Sequence, residues 1–375
     1  MSNTTGQDQQ KNMRRVALTS LAGTSIEWYD FFLYATAAAV IFPIAFFPQE
    51  DPTTALLISF SSLAVGFLAR PLGGIVFGHF GDRIGRKRTL VVALMMMGIT
   101  TTLIGFLPTY ASIGVAAPIL LVLLRFVQGL AIGGQWGGAM LLVTESAPAD
   151  QRGWYGAYAQ AGAPLGVVLA NLAFIGVSSS MSDEAFMDWG WRLPFIASIV
   201  LIGISMYIQL KIEDTEAFRS LSDAQSAADK PTETVKRSPV IEAIRKYPKR
   251  IMLAAGAFLS VQVTFYILIA FVISYGMQSP NLMLSKDLML TAVLIAAAIM
   301  VPTQFYFSGL SDRLGRKNVY RWGAILTGIW GFALFPLIDT GDPLFICFAI
   351  TMGLLFLGMQ YGPQAAYFTG LFSTE

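Results

Sequence analysis

The chain has little of what a soluble enzyme is built from. Among its 375 residues there is one cysteine, Cys347, and one histidine, His79. A single cysteine excludes a disulfide framework and a cysteine-based metal centre, so Cys347 reads as a small apolar residue in a helix. A single histidine argues against a histidine metal site and against a Ser-His pair. No glycine loop of nucleotide-binding type is present, and no nucleophile stands beside a base, so an enzyme is not expected, nor any cofactor or metal. Charge is scarce as well. Asp, Glu, Lys and Arg make up 13% of the chain, against about 25% in soluble domains. A net charge of +2 gives no reason to expect a nucleic-acid partner.

What the chain has is apolar length. Hydrophobic residues make up 55% of it and the mean hydropathy is +0.60, too apolar for one water-soluble core. The expectation is an all-α polytopic protein of the lipid bilayer. Apolar runs fall at about 16–47, 53–80, 88–108, 113–144, 154–177 and 191–211, and then at 250–278, 286–310, 319–338 and 343–370. Each meets or nearly meets the ~20 residues needed to cross the hydrocarbon as a helix. The division is therefore a polar N-terminus (1–15), six helices (16–211), a polar linker rich in Ser, Ala, Asp, Glu and Lys (212–249), and four helices (250–375). The first run follows Lys11, Arg14 and Arg15, but Glu27 and Asp30 interrupt it, so it reads as a retained helix, not a leader.

Basic residues set the expected orientation. With the N-terminus inside, Lys and Arg lie on the cytoplasmic side, apart from Arg70 and Arg125 within helices and Arg192 and Lys286 outside. The outer loops then hold Glu50, Asp51, Asp183, Glu184, Asp188, Asp287, Asp339 and Asp342, a positive-inside pattern.

One loop occurs twice. Gly78-His79-Phe80-Gly81-Asp82-Arg83-Ile84-Gly85-Arg86-Lys87 returns as Ser308-Gly309-Leu310-Ser311-Asp312-Arg313-Leu314-Gly315-Arg316-Lys317, matching in identity or type at seven of ten positions. Each copy is a tight charged turn between membrane-length runs, which implies two similar halves. Small residues are spaced for helix contact, with Gly129, Gly133 and Gly137 in the fourth run, Gly162 and Gly166 in the fifth, and Gly74 and Gly78 in the second. They are assigned to packing alone.

Ionisable groups within the runs are the candidate functional residues, because each is costly in hydrocarbon. Glu27 and Asp30 share a stripe with Ser20, Gly23 and Tyr34, a polar face expected to line a cavity. Arg70 and Arg125, the latter with Gln128 and Gln135 nearby, need an anion, whether a protein carboxylate or one on a substrate. A carboxylate can take up a proton instead. One fixed cation and one protonatable acid suffice for proton-coupled uptake of an anion. Static ion pairs between these acids and arginines are the competing expectation. Gln262 with Tyr266, and Gln360 with Gln364 and Tyr367, offer hydrogen bonds either to substrate hydroxyls or between helices. His79, beside the first loop copy, suits a proton relay or a structural place in the turn.

The duplicated loop resembles the signature loop of major facilitator superfamily transporters. Further segments resemble that superfamily's metabolite:proton symporters. These are Gly23-Thr24-Ser25-Ile26-Glu27-Trp28-Tyr29-Asp30-Phe31, Arg70-Pro71-Leu72-Gly73-Gly74, Arg125-Phe126-Val127-Gln128-Gly129, Gly133-Gly134-Gln135-Trp136-Gly137-Gly138, Glu145-Ser146-Ala147-Pro148 and Gly190-Trp191-Arg192-Leu193-Pro194-Phe195. The Gly-Gly-x-Trp-Gly-Gly form and Tyr361-Gly362-Pro363-Gln364-Ala365-Ala366 look nearest to shikimate carriers. The resemblance implies two six-helix lobes, a central site and alternating access. It implies gating by Gly78, Asp82, Arg83, Gly85, Arg86 and Lys87, and by Asp312, Arg313, Gly315, Arg316 and Lys317. Each loop Asp is expected at the start of a helix in the opposite lobe, which for Asp312 is the helix near Trp154.

The sequence departs from the family at Gln135, where Glu is usual. It also ends after the tenth helix, so a fold with its last two helices missing is expected, and such a product is expected to be unstable or inactive. The expected function is proton-coupled symport of a small polar metabolite, a hydroxylated organic acid such as shikimate or a dicarboxylate, by a monomer in the cytoplasmic membrane. Proton coupling falls to Asp30 and Glu27. Substrate binding falls to Arg70, Arg125, Gln128, Gln135, Tyr34, Gln262, Tyr266, Gln360 and Gln364. A proline- or betaine-type osmolyte carrier and a non-transporting receptor are the alternatives.

Overall fold

The computed structural model describes residues 2–84, 86–133, 151–213 and 247–372. Side chains are described there except at 2–16, 19, 78–90, 205, 208–213 and 369–372. Among the described residues the chain is helical, with ten long helices. Six precede the linker: α1 (Ser2–Val40), α2 (Pro52–Ile84), α3 (Arg86–Phe106), α4 (Ala116–Gly133), α5 (Arg152–Ser178) and α6 (Arg192–Glu213). Four follow it: α7 (Pro248–Gln278), α8 (Lys286–Leu314), α9 (Arg316–Ile338) and α10 (Pro343–Phe372). Each coincides with one apolar run of the sequence. By length and composition, seven of them are apolar enough to cross a bilayer. An eighth is added if Asp183–Gly190 and Arg192–Ile204, bent by 51° at Trp191, form one span. Most of the linker, residues 214–246, lies outside the described residues, as do Gly85 and Gln135.

Local chemistry places several boundaries. Ser285 caps α8 by accepting from the Leu288 N–H at 3.3 Å. Gly315 ends α8 at φ +89°, a conformation that disfavours a Cβ, and the chain turns at once into α9. Within α7, a π-helical turn at Ile267–Phe271 directly follows Tyr266.

Glycines decide how the first lobe packs. A Cβ on Gly73 would strike the main-chain oxygen of Leu130, one on Gly129 that of Gly66, and one on Gly133 that of Arg70. Helices α2 and α4 are therefore in backbone contact, as small residues allow where lipid gives no hydrophobic drive. In α5, Gly162 lies on Thr24 and Gly166 on Trp28, which brings α5 along α1. The contact of α2 with α4 sets Arg70 and Arg125 side by side. At Gly66 a Cβ would sit 2.7 Å from Arg125 Nε.

The two lobes meet along α5 and α8, and along α1 and α7. At one end of the seam, Asp312 accepts from the N–H of Gly153 at 3.1 Å and of Trp154 at 3.0 Å, in the first turn of α5. Arg316 holds the same carboxylate at 3.2 Å. At the other end of the seam, Lys286 pairs with Asp183 at 3.0 Å and lies 4.0 Å from the Phe186 ring centroid. Ser274 Oγ of α7 donates to the Ala39 carbonyl of α1 at 3.2 Å.

Candidate functional site

Two buried guanidiniums form the centre of the site. Arg125 Cζ lies 4.5 Å from the Phe31 ring centroid and 4.2 Å from that of Tyr34. Arg70 Cζ lies 4.8 Å from Phe31 and 4.5 Å from Phe67. Arg is weakly hydrated for a cation and stacks on aromatic faces, which makes such a box tolerable. Yet Nε and Nη2 of both arginines are buried and have no hydrogen-bond partner among the described residues. Neither forms an ion pair there, so the static Asp30 or Glu27 pairing is not found. Four charged nitrogens are left for something else.

The opposite lobe closes the box. Tyr266 packs against Phe31 at 5.8 Å, Phe67 at 5.4 Å and Phe265 at 6.2 Å between centroids. Tyr361 stacks on Phe265 at 5.5 Å, and both tyrosines lie within electrostatic reach of Arg70. Gln262 stands one turn before Tyr266, and the buried Gln364 has an unpartnered Oε1.

Three expected ligands are engaged elsewhere. Gln128 Oε1 accepts from Arg125 Nη1 at 2.5 Å and its Nε2 donates to Thr101 of α3 at 2.8 Å. The Tyr34 hydroxyl bonds Ser62 of α2 at 2.7 Å, leaving its ring to the guanidinium. Gln360 donates to Thr327 of α9 at 2.9 Å, so its amide joins two helices of one lobe.

The acids also differ from expectation. The face of α1 toward α7 is aromatic, made of Phe31 and Phe32, with Trp28 stacked on Phe32. Asp30 is fully buried and turned toward the hydroxyls of Thr101 and Ser198, within the first lobe. The polar stripe therefore does not line a single opening, because bulky rings outcompete it for the surface between lobes. Glu27 is half-buried one turn earlier. Sequence reasoning passed over Phe31, Phe67, Thr101, Ser198 and Tyr361. Tyr361 directly follows Gln360, and one residue is a 100° rotation on a helix. Of the two expectations for Gln360, the hydrogen bond between helices is the one found.

Of the gating residues, the side chains of Gly78, Asp82, Arg83, Arg86 and Lys87 lie outside the described ones. In the second copy Asp312 and Arg316 form the contact with α5, while Arg313 and Lys317 are exposed. Gly153 has no room for a side chain, since a Cβ there would sit 2.7 and 2.8 Å from the two Asp312 oxygens. Gly153→Ala should push the carboxylate off both amides. Amide hydrogen exchange at Trp154 should then rise at least about tenfold, given roughly 1.5–3 kcal/mol for a charge-assisted hydrogen bond. Unchanged exchange would show the contact to be incidental.

Residues 18–375 match the Major Facilitator Superfamily. The chain belongs to that superfamily. It is a multi-pass membrane transporter and not an enzyme. Among similar proteins of Escherichia coli K12, the inner membrane metabolite transport protein YhjE is 41% identical, covering 96% of this chain and 81% of YhjE. The shikimate transporter is 40% identical over the same shares, 96% and 81%. The proline/betaine transporter is 32% identical, covering 97% of this chain and 72% of its own. The xylose transporter XylE from E. coli, solved in a partially occluded inward open conformation, superposes with a TM-score of 0.67 at 16% identity, covering 94% of this chain and 83% of that one. That likeness concerns the fold.

Proposed function

We propose that this superfamily member is a proton-coupled symporter of a small polar carboxylate, a hydroxylated organic acid such as shikimate or a dicarboxylate. The observation that carries the reading is the pair of buried guanidiniums, Arg70 and Arg125, whose Nε and Nη2 atoms are unpartnered. A carboxylate on the substrate supplies the missing acceptors, and a planar guanidinium fork holds it in a fixed orientation. Tyr266, Gln262 and Gln364 face the substrate from the second lobe, and Asp30, with Glu27 a turn away, carries the proton. The two signature loops gate the cytoplasmic side, with Asp312 at the start of α5. Sequence relatives named for metabolite and shikimate transport support the substrate class. All ten helices span the membrane in this reading, with the N-terminus inside the cytoplasmic membrane and the protein acting as a monomer.

The experiment is uptake of labelled shikimate, 2-oxoglutarate and betaine into proteoliposomes, with and without a pH gradient. Driven uptake of an organic acid is the expected result. Driven uptake of betaine alone would move the substrate to the osmolytes. Binding without uptake at any gradient would make the protein a receptor.

A further inference from the structure

The polar chain behind Arg125 has a direction fixed by chemistry. A guanidinium has donors only, so the Gln128 amide must turn its oxygen to Arg125 and its nitrogen to Thr101. The Thr101 oxygen therefore accepts, and its single proton must go elsewhere. It goes to the Met97 carbonyl at 2.9 Å. The same hydroxyl faces the Asp30 carboxyl from α3, and Ser198 faces it from α6. Ser198 likewise sends its proton to its own helix, to the Pro194 carbonyl at 3.3 Å.

Both Asp30 oxygens are consequently buried without a regular hydrogen bond, although two hydroxyls stand beside them. Rotation about each Cβ–Oγ bond turns those protons onto the carboxyl group. Neither main-chain carbonyl is then left bare. Met97 O keeps a share of the Thr100 hydroxyl, at 2.9 Å against 2.8 Å to Met96 O, and Pro194 O keeps the Tyr29 hydroxyl at 3.0 Å. An ionised carboxylate buried without donors is far costlier than a protonated one, so the rotation is favoured only when Asp30 loses its proton.

We propose that Thr101 and Ser198 are positioning residues for proton coupling. Their hydroxyls donate to main-chain carbonyls while Asp30 is protonated and turn to the carboxylate once it is not. Thr101 passes that change through Gln128 to Arg125. This rests on reading Asp30 as the coupling acid. The only covalent change is at the Asp30 O–H; the Thr101 proton stays on its own oxygen. The titratable groups facing Asp30 are Glu27 and Tyr29 of α1. Arg125 of α4 reaches it through Gln128 and Thr101. Helix α5, packed along α1, brings no charged side chain to it among the described residues.

The test is infrared difference spectroscopy of the full chain in lipid, following the carboxylic acid carbonyl band against pH. This needs no knowledge of the substrate. Asp30→Asn assigns the band. Thr101→Val removes a donor to the ion at nearly constant shape, and its midpoint should move to higher pH by about one unit. Thr101→Ser should restore the original midpoint, and Ser198→Ala should move it in the same direction as Thr101→Val. Midpoints unchanged in both Thr101→Val and Ser198→Ala would overturn the proposal while leaving Asp30 as the acid. A titrating band that Asp30→Asn leaves in place would overturn the reading of Asp30 itself, and the relay with it. General structural damage lowers uptake at every pH but does not give a midpoint that serine restores.

Discussion

Asp30→Asn should abolish accumulation of substrate against a gradient, so that the internal level never exceeds the external one under an imposed pH difference. Asparagine matches the shape of aspartate but cannot gain or lose a proton. Asp30 is fully buried beside Thr101 and Ser198 and forms no ion pair with either guanidinium. The substitution therefore removes coupling and leaves the binding groups in place. Downhill exchange of labelled for unlabelled substrate should persist at a reduced rate, because the carrier can still cycle loaded. The comparison to make is gradient-driven uptake against exchange in the same vesicles. Undiminished accumulation would remove Asp30 from the coupling step and leave Glu27 as the candidate.

Arg125→Lys should weaken binding of a carboxylate substrate by roughly 2 kcal/mol, about thirtyfold in dissociation constant. Three contributions disappear together. The guanidinium stacks on Phe31 and Tyr34, bonds Gln128 and keeps Nε and Nη2 for an anion. An ammonium offers a point charge with no planar fork. It also reaches less far from α4, whose position against α2 is fixed by Gly129 and Gly133. Titration calorimetry with the transported acid measures the change directly. Affinity and transport both equal to the parent would make Arg125 a structural cation.

The all-helical class was legible because the apolar runs are bounded by charge, proline or glycine and lipid favours a helix, and seven of the helices pass as spans by length and composition. The approach of Asp312 to the start of α5 followed from the resemblance of the duplicated loop to the superfamily's signature loop. Individual side chains were less so. Asp30 and Tyr34 share a stripe on paper, yet one is enclosed with α3 and α6 while the other lies under Arg125. Periodicity gives the face of a helix and not which neighbour covers it. That neither arginine forms an ion pair among the described residues was beyond sequence reasoning, since Glu27 and Asp30 offered such pairs as a competing expectation. Tyr361 was missed because α10 carries polar residues at consecutive positions and the choice of phase depends on α9, whose Thr327 takes Gln360.

Phe31 touches both guanidiniums, which places their centres no more than about 9 Å apart. At an effective dielectric constant of about 20, two unit charges at that distance repel by roughly 2 kcal/mol. The two guanidiniums thus repel each other, and an anion placed between them would relieve that repulsion whatever its identity. In the proposed site, charge would supply affinity without choice. If the box takes a carboxylate as proposed, discrimination among acids has to come from the uncharged wall across it, where the rings of Tyr266 and Tyr361 and the unpartnered amide oxygen of Gln364 lie.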